Sequence, residues 1–275
     1  MATKTTTSKA KAKDEKVIDQ PITALVSPVH IPKISRNIII LEVQGTSGVP
    51  YCCHAMSQKA MLQMEAKHDG KTPTRKREPK DQWLEFMGAG YWKRNAKGEA
   101  VDLCAPSLQF QKATIDAVRH IGDKKTLTMK AVRSWFRIRS NDPAQPELIP
   151  LKAGPLDEIY FDDMDHRFLG REDAKDRSMW VNKERIEQMK KFHKKGISIS
   201  RSPATVGMGT MDLRYRPKIY NWSATLEVEY FPMFISEEGI INLIELGGSL
   251  NGIGEWRPSS PQATGSWGTF SVKQS

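Results

Sequence analysis

Cysteine is scarce in this sequence of 275 residues, which contains only three. Cys52 and Cys53 are adjacent, Cys104 stands alone, and no Cys-x-x-Cys pair is present. An odd count without that spacing indicates neither a disulfide framework nor a zinc site, so we expect reduced thiols. The run Cys52-Cys53-His54 predicts a buried strand end rather than a nucleophilic site.

Long apolar segments are also missing. No run approaches the roughly 18 apolar residues that span a bilayer, and no apolar core follows the lysines near the N-terminus. We therefore expect neither a signal peptide nor a membrane span, and a protein that stays in the cytoplasm.

The motifs of common catalytic sites are absent as well. The sequence shows no Ser/His/Asp arrangement, no P-loop and no paired-carboxylate motif. The glycines at Gly252 and Gly254 follow a predicted helix and lack the third glycine of a dinucleotide-binding fingerprint. The sequence therefore predicts no enzymatic activity and no cofactor.

One acidic cluster, at residues 162–166, carries metal-ligating residue types: Asp162, Asp163, Asp165 and His166. An EF-hand would need an oxygen ligand where Arg167 stands and a glycine where Phe168 stands, which excludes calcium in that geometry. A Mg²⁺ site is the minor alternative to a solvated acidic loop or a loop that pairs with a neighbouring copy. We predict no bound metal.

Positive charge is abundant. The chain has 42 Lys and Arg against 32 Asp and Glu, a net charge of +10 and a pI near 9.4. Such a balance favours a polyanionic partner. Residues 1–33 are predicted to form a basic, flexible N-terminal arm, either an electrostatic contact or a solubilising terminus. Residues 34–275 are predicted to form a single domain.

Hydrophobic periodicity predicts a core of four strands and two helices. The strands are expected at 37–44, 126–139, 220–231 and 268–272, and the helices at 107–121 and 237–247. Without the insertions at about 50–105 and 140–210, the order is βαββαβ. This order predicts an α+β, ferredoxin-like fold related to RNA-recognition motifs, with an open sheet face of the kind that binds single strands.

Two segments resemble the Cas7-like, or RAMP, superfamily: the helix start CAPSLQFQKATIDAVRHI (104–121) and the glycine-rich LGGSLNGIGEWRPSSPQATGSWGTFSV (246–272). The resemblance implies that the glycine-rich loop and the sheet face contact RNA backbone. Most of residues 36–272 also resembles phage-encoded proteins of uncharacterised function, through VGMGTMDLRYRP (206–217), WSATLEVEY (222–230) and GIGEWRP (252–258).

Basic side chains close to aromatic ones supply the candidate contacts to nucleic acid. Period-two alternation over 126–139 would place basic residues around a tryptophan on one strand face, where cations meet phosphates and the ring stacks on a base. For each group the alternative is a structural or solvated role. The candidate residues are Arg75, Lys76, Arg77, Lys93, Arg94, Arg133, Trp135, Arg137, Arg139, Arg214, Arg216, Gly252, Gly254, Trp256 and Arg257.

These features predict a sequence-tolerant protein that binds single-stranded nucleic acid. Phage context favours DNA over RNA, and the acidic segment 157–176 within a basic chain predicts head-to-tail assembly of copies into an oligomer or filament. The alternatives are a RAMP-like endonuclease and a structural assembly protein.

Overall fold

The computed structural model describes residues 33–56, 58–70, 81–121, 127–156, 183–206, 210–260 and 265–273. Three of the predictions lie outside these ranges. They concern the arm before residue 33, the basic loop with Arg75, Lys76 and Arg77, and the acidic segment 157–176.

The described residues form ten strands and six α-helices. The strands are β1 (Asn37–Gly45), β2 (Tyr51–Cys52), β3 (Tyr91–Arg94), β4 (Ala100–Pro106), β5 (Phe136–Ser140), β6 (Leu148–Pro150), β7 (Ile197–Val206), β8 (Thr210–Ile219), β9 (Ser223–Tyr230) and β10 (Phe270–Val272). The helices are α1 (Gln58–His68), α2 (Gln82–Ala89), α3 (Ser107–Ala117), α4 (Met129–Val132), α5 (Lys183–His193) and α6 (Glu237–Leu250). No described helix is long and apolar enough to cross a membrane.

A four-stranded antiparallel sheet carries the central core, in the order β10-β1-β9-β5. Helices α3 and α6 pack against each other, and α3 also packs on β5 and α6 on β10. Strand β9 buries Ala224, Leu226 and Val228 in alternation with half-exposed residues, as its period-two pattern predicts. The prediction of a mixed α+β chain with antiparallel strands is confirmed.

Two further three-stranded sheets are built from the segments between these core elements, in the orders β3-β4-β6 and β2-β8-β7. Strands β3 and β4 form a hairpin that turns at Asn95–Gly98. The hairpin of β7 and β8 was not predicted, because no strand was expected between residues 139 and 220. Pro203 and Pro217 interrupt the strand pattern there, although each lies within a ten-residue strand.

The predicted strand over 126–139 is wrong in its first half. Thr128 Oγ1 accepts a hydrogen bond from the Ala131 N–H at 3.2 Å and caps the short helix α4. A turn follows, and the strand begins only at Phe136. Arg133 and Trp135 therefore do not share a strand face with Arg137 and Arg139.

Helix α6 begins as predicted but ends later. Ser236 caps it by accepting a hydrogen bond from the Gly239 N–H at 3.1 Å. It continues through Gly247 and Gly248 to Leu250, beyond the predicted end at residue 247. A Cβ at Gly248 would stand 2.3 Å from the Phe270 carbonyl oxygen, so the glycines permit close packing of α6 on β10 and α3.

Candidate nucleic-acid interface

The first candidate surface is the side of the four-stranded sheet opposite α3 and α6, here called the sheet face. On β5, exposed Arg137 and Arg139 alternate with buried Phe136 and Ile138. Across the ladder, Arg137 is opposite Glu229 and Arg139 is opposite Glu227. Directly opposed residues of an antiparallel pair lie on the same side of a sheet, so each arginine has a carboxylate beside it.

Glu229 is the centre of charge pairing on the sheet face. It is 8% exposed, accepts a hydrogen bond from Arg36 Nη1 at 3.1 Å, and lies 3.6 Å from Arg139 Nη2. Two guanidinium groups therefore share one nearly buried carboxylate. This arrangement lowers the positive potential that the sheet face offers to a phosphate.

Trp135 lies near the edge of the sheet rather than on its face. Its half-buried ring is nearly parallel to that of Phe234, with centroids 6.0 Å apart and planes 8° apart. The two rings border an apolar groove of about 650 Å³ whose other walls include Leu127, Leu243 and Leu246. This environment is typical of a tryptophan that packs against other side chains of the protein.

Lys93 and Arg94 are engaged within the β3–β4 hairpin and its surroundings. Lys93 Nζ lies 2.6 Å from the Asp142 carboxylate, and this hydrogen bond raises the pKa of Lys93 and lowers that of Asp142. Arg94 Nη1 donates to the Gly98 carbonyl oxygen at 2.7 Å.

The second candidate surface is the loop face, formed by residues 252–257, Trp267 and the adjoining row of residues on β7 and β8. Along this row three serines of β7 are opposite three cations of β8: Ser198 and Lys218, Ser200 and Arg216, Ser202 and Arg214. The cations of the loop face thus have neutral cross-strand neighbours.

Arg216 is not available to a ligand, contrary to its predicted role. It is 4% exposed and forms an ion pair with Glu255. Burial lowers the pKa of Arg216, and the positive charge of Arg214 lowers it further. Arg216 therefore holds Glu255, and with it the glycine-rich loop, against β8, whereas Arg214 is half-exposed.

The two predicted loop glycines have backbone roles. Gly252 and Gly254 have φ values of 63° and 75°, and a Cβ at Gly254 would lie 2.5 Å from the Cys52 carbonyl oxygen. Glycine is thus needed for the turn and for close packing on β2.

Trp256 follows this turn and is 41% exposed. Its φ is 54°, and its carbonyl oxygen accepts a hydrogen bond from the Trp267 N–H at 3.1 Å. The two rings lie 6.1 Å apart, centroid to centroid, at an angle of 52°, and border an open cleft of about 510 Å³ that also includes Ser202. Trp267 was missed at the sequence level, although it belongs to the glycine-rich segment.

Arg257 is held by neutral acceptors. Its Nη1 donates to the Gly254 carbonyl oxygen at 2.8 Å and its Nε to Ser259 Oγ at 3.1 Å. A small cleft of about 250 Å³ separates this loop from α3, and Lys112 of α3 lines it together with Arg257. Lys112 was also not among the predicted residues, although it stands in the helix segment that resembles the RAMP superfamily.

The three cysteines are free and buried, and burial raises the pKa of Cys52 and of Cys104 to about 11. Cys52 and Cys53 lie at a buried strand end, as predicted. Within the part of the chain that the structure describes, no three His, Cys, Asp or Glu side chains are grouped so that they could hold a metal ion.

Comparison with known proteins gives little further information. No protein-family model matches the chain, and no curated protein sequence matches it. Among solved structures, the chain is similar to Cmr6 from Pyrococcus furiosus, with 8% sequence identity, a TM-score of 0.31, and coverage of 88% of this chain and 100% of that chain. A TM-score this low does not establish a common fold, so no residue role follows from the similarity.

Proposed function

We propose that the protein binds single-stranded nucleic acid without sequence preference, through phosphate contacts and base stacking. The observation that carries this proposal is that two consecutive residues of the loop face, Trp256 and Arg257, combine an exposed ring with a fixed cation. Neutral acceptors hold the guanidinium of Arg257, so its charge is fixed in place without being cancelled by those partners. A fixed cation next to an exposed ring supplies the two groups that single-strand binding uses, one for phosphate and one for base.

The proposal also covers the fold, the type of nucleic acid that is bound and the assembly of protein copies. The strand order β10-β1-β9-β5, with α3 between β1 and β5 and α6 between β9 and β10 along the chain, supports a ferredoxin-like βαββαβ core. The resemblance to phage-encoded proteins supports single-stranded DNA as the ligand, in the cytoplasm of a host cell. We propose that copies assemble along the strand and that binding involves no catalytic step.

The test is fluorescence anisotropy with labelled dT and U 40-mers over a range of salt concentrations. Because phosphate contacts release counterions, the logarithm of affinity should fall linearly with the logarithm of salt concentration. Arg257→Gln should weaken binding and reduce that slope by about 0.7, the value for one lost phosphate contact on a single strand. Arg139→Gln is the matched control on the sheet face, where the arginine is already paired with Glu229.

Absence of binding at low salt, or an affinity that does not depend on salt, would refute the proposed function. If the Arg257 and Arg139 variants changed affinity and salt dependence equally, the loop face would not be the binding interface. Incubation of the wild-type protein with Mg²⁺ and the labelled strands should leave them intact, whereas cleavage would favour the endonuclease alternative.

A second candidate, a structural assembly protein, is favoured by the apolar residues of β1 on the sheet face. Ile38 and Ile40 are 61% and 56% exposed, and exposed apolar residues that are neighbours on one face are typical of protein interfaces. Light scattering without nucleic acid separates the two functions, because this candidate requires a defined oligomer of the free protein that an Ile38→Ser, Ile40→Ser variant disrupts.

A further inference from the structure

The backbone at Trp256 adopts a conformation that a tryptophan rarely takes. Among the described non-glycine residues, positive φ values occur at Asn221 and Trp256. Asparagine tolerates this region, but for a bulky side chain it is a strained outlier. Strain of this kind persists only where the surroundings impose it, and it is concentrated at functional sites.

The surroundings of Trp256 do impose it. The Trp267 N–H donates to its carbonyl oxygen at 3.1 Å, and a Cβ at Gly265 would lie 1.9 Å from that same oxygen. The result is an exposed ring rather than a packed one. Trp222, a packing tryptophan of the same protein, is 0% exposed, whereas Trp256 is 41% exposed. The strain therefore serves to present the ring to solvent.

The presented ring forms one wall of a slot. Trp267 forms the other wall, tilted by 52° with its centroid 6.1 Å away, and the open cleft beside them is lined by Ser202, Gly265 and Ser266. Two tilted aromatic walls beside an open cleft suit a flat ligand that stacks on one of them. The small residues of the cleft leave room for its edge.

The charges around the slot indicate what is attached to that flat ligand. Arg257 follows Trp256 directly in the chain, and Arg214 is opposite Ser202 across the β7–β8 ladder, on the same side of the hairpin. Arg214 also lowers the pKa of Arg216 and of His54, so its positive charge acts on this part of the loop face. A flat group on a surface that also carries these two arginines fits a base with its attached phosphates.

We propose that Trp256 and Trp267 form a slot for one unstacked base of a single strand, with Arg257 and Arg214 at the flanking phosphates. This inference rests on the proposed function and deepens it, because it requires the base as well as the backbone. Small residues along the cleft make the slot tolerant of base identity.

The experiment compares a dT 40-mer with a 40-mer of abasic residues, which has the same phosphates without bases. The variant is Trp256→Gly, since glycine accepts positive φ without strain. Asn221→Gly is the matched control, because it makes the same backbone change at an exposed position outside the slot. Anisotropy measures affinity and thermal unfolding measures stability for all three proteins.

We expect the wild-type protein and Asn221→Gly to prefer dT over the abasic strand by about 5- to 150-fold, the range for loss of one stacked base. Trp256→Gly should lose this preference, keep its affinity for the abasic strand, and melt at or above the wild-type temperature. Equal wild-type affinity for both strands would overturn the slot and leave the proposed function intact, whereas no binding to either strand would overturn both. A melting temperature of Trp256→Gly well below that of the wild-type protein would assign the ring to packing and also overturn the slot.

Discussion

The sheet face and the loop face both carry arginines at alternate positions of an antiparallel strand, but the residues across the ladder differ. Arg137 and Arg139 are opposite glutamates of β9, whereas Arg214 and Arg216 are opposite serines of β7. Cross-strand neighbours of opposite sign pair their charges within the sheet. The density of arginines along a strand therefore does not determine how much positive potential the strand presents.

The two surfaces also differ in how deeply their arginines are buried. The arginines of β5 are exposed, whereas Arg216 is buried against Glu255 and only Arg214, nearer the hairpin tip, is half-exposed. On the loop face the inner arginine fixes the loop and the outer residues present charge. On the sheet face each described ion pair of Glu229 has an exposed arginine and therefore contributes less to stability than a buried pair.

The largest expected effect is on stability and concerns Arg216. Arg216→Ala should lower the free energy of unfolding by about 3 kcal/mol, because it removes a buried guanidinium and leaves the Glu255 carboxylate, which is 18% exposed, without its partner. Arg139→Ala should lower it by at most about 1 kcal/mol, since its ion pair is partly exposed. Urea denaturation of both variants gives the two values.

The double variant Arg216→Met, Glu255→Leu is the control for this difference. It removes both charges and fills the space with apolar groups, so it should recover part of the stability that Arg216→Ala loses. Similar losses for Arg216→Ala and Arg139→Ala would contradict the contrast between a buried and an exposed ion pair.

A smaller effect is expected from Trp135, whose ring packs on Phe234 near the edge of the sheet. Trp135→Ala should cost about 1–2 kcal/mol of stability, because it removes a half-buried aromatic contact. Its affinity for a dT 40-mer should equal that of the wild-type protein. Unchanged stability together with weakened binding would instead return Trp135 to its predicted role as a stacking residue.

Local sequence patterns were enough to predict the parts of the core that depend on neighbours along the chain. Pro106 and Ser107 mark the start of α3, and the strict alternation of β9 identifies its buried side. The predictions failed where a single side chain or a contact with a distant segment determines the local structure. Thr128, for example, caps a short helix where alternation favoured a strand.

The candidate site shows the same limit. Trp256 and Arg257 could be selected because an aromatic and a cation follow a glycine-rich turn. The burial of Arg216 could not be predicted, because it depends on the contact between Glu255 and β8. Nor does the sequence reveal that Glu229 faces Arg137 whereas Ser202 faces Arg214, since cross-strand partners follow from the register between distant segments.

The smallest expected effect is a pH dependence that reports the charge of the loop face. Burial lowers the pKa of His54 to about 4, and the positive charges of Arg216 and Arg214 add to this. Glu255 lies 3.9 Å from His54 Nδ1 but is engaged by Arg216, so it does not restore the charged form. Folding therefore disfavours protonation of His54 between its ordinary pKa of 6.5 and about 4.

In that window the unfolded chain binds more protons than the folded one, so the free energy of unfolding should decrease as pH falls from about 6.5 towards 4. His54→Asn should make this decrease shallower, by a modest amount because the side chain is 52% exposed. Arg214→Ser should raise the pKa of His54, which NMR titration of the imidazole measures directly, while Arg137→Ser on the sheet face should leave it unchanged. A His54 pKa that is close to 6.5 in the wild-type protein, or unaffected by Arg214→Ser, would mean that the charge of Arg214 is neutralised, and the two faces would then not differ in the potential they present.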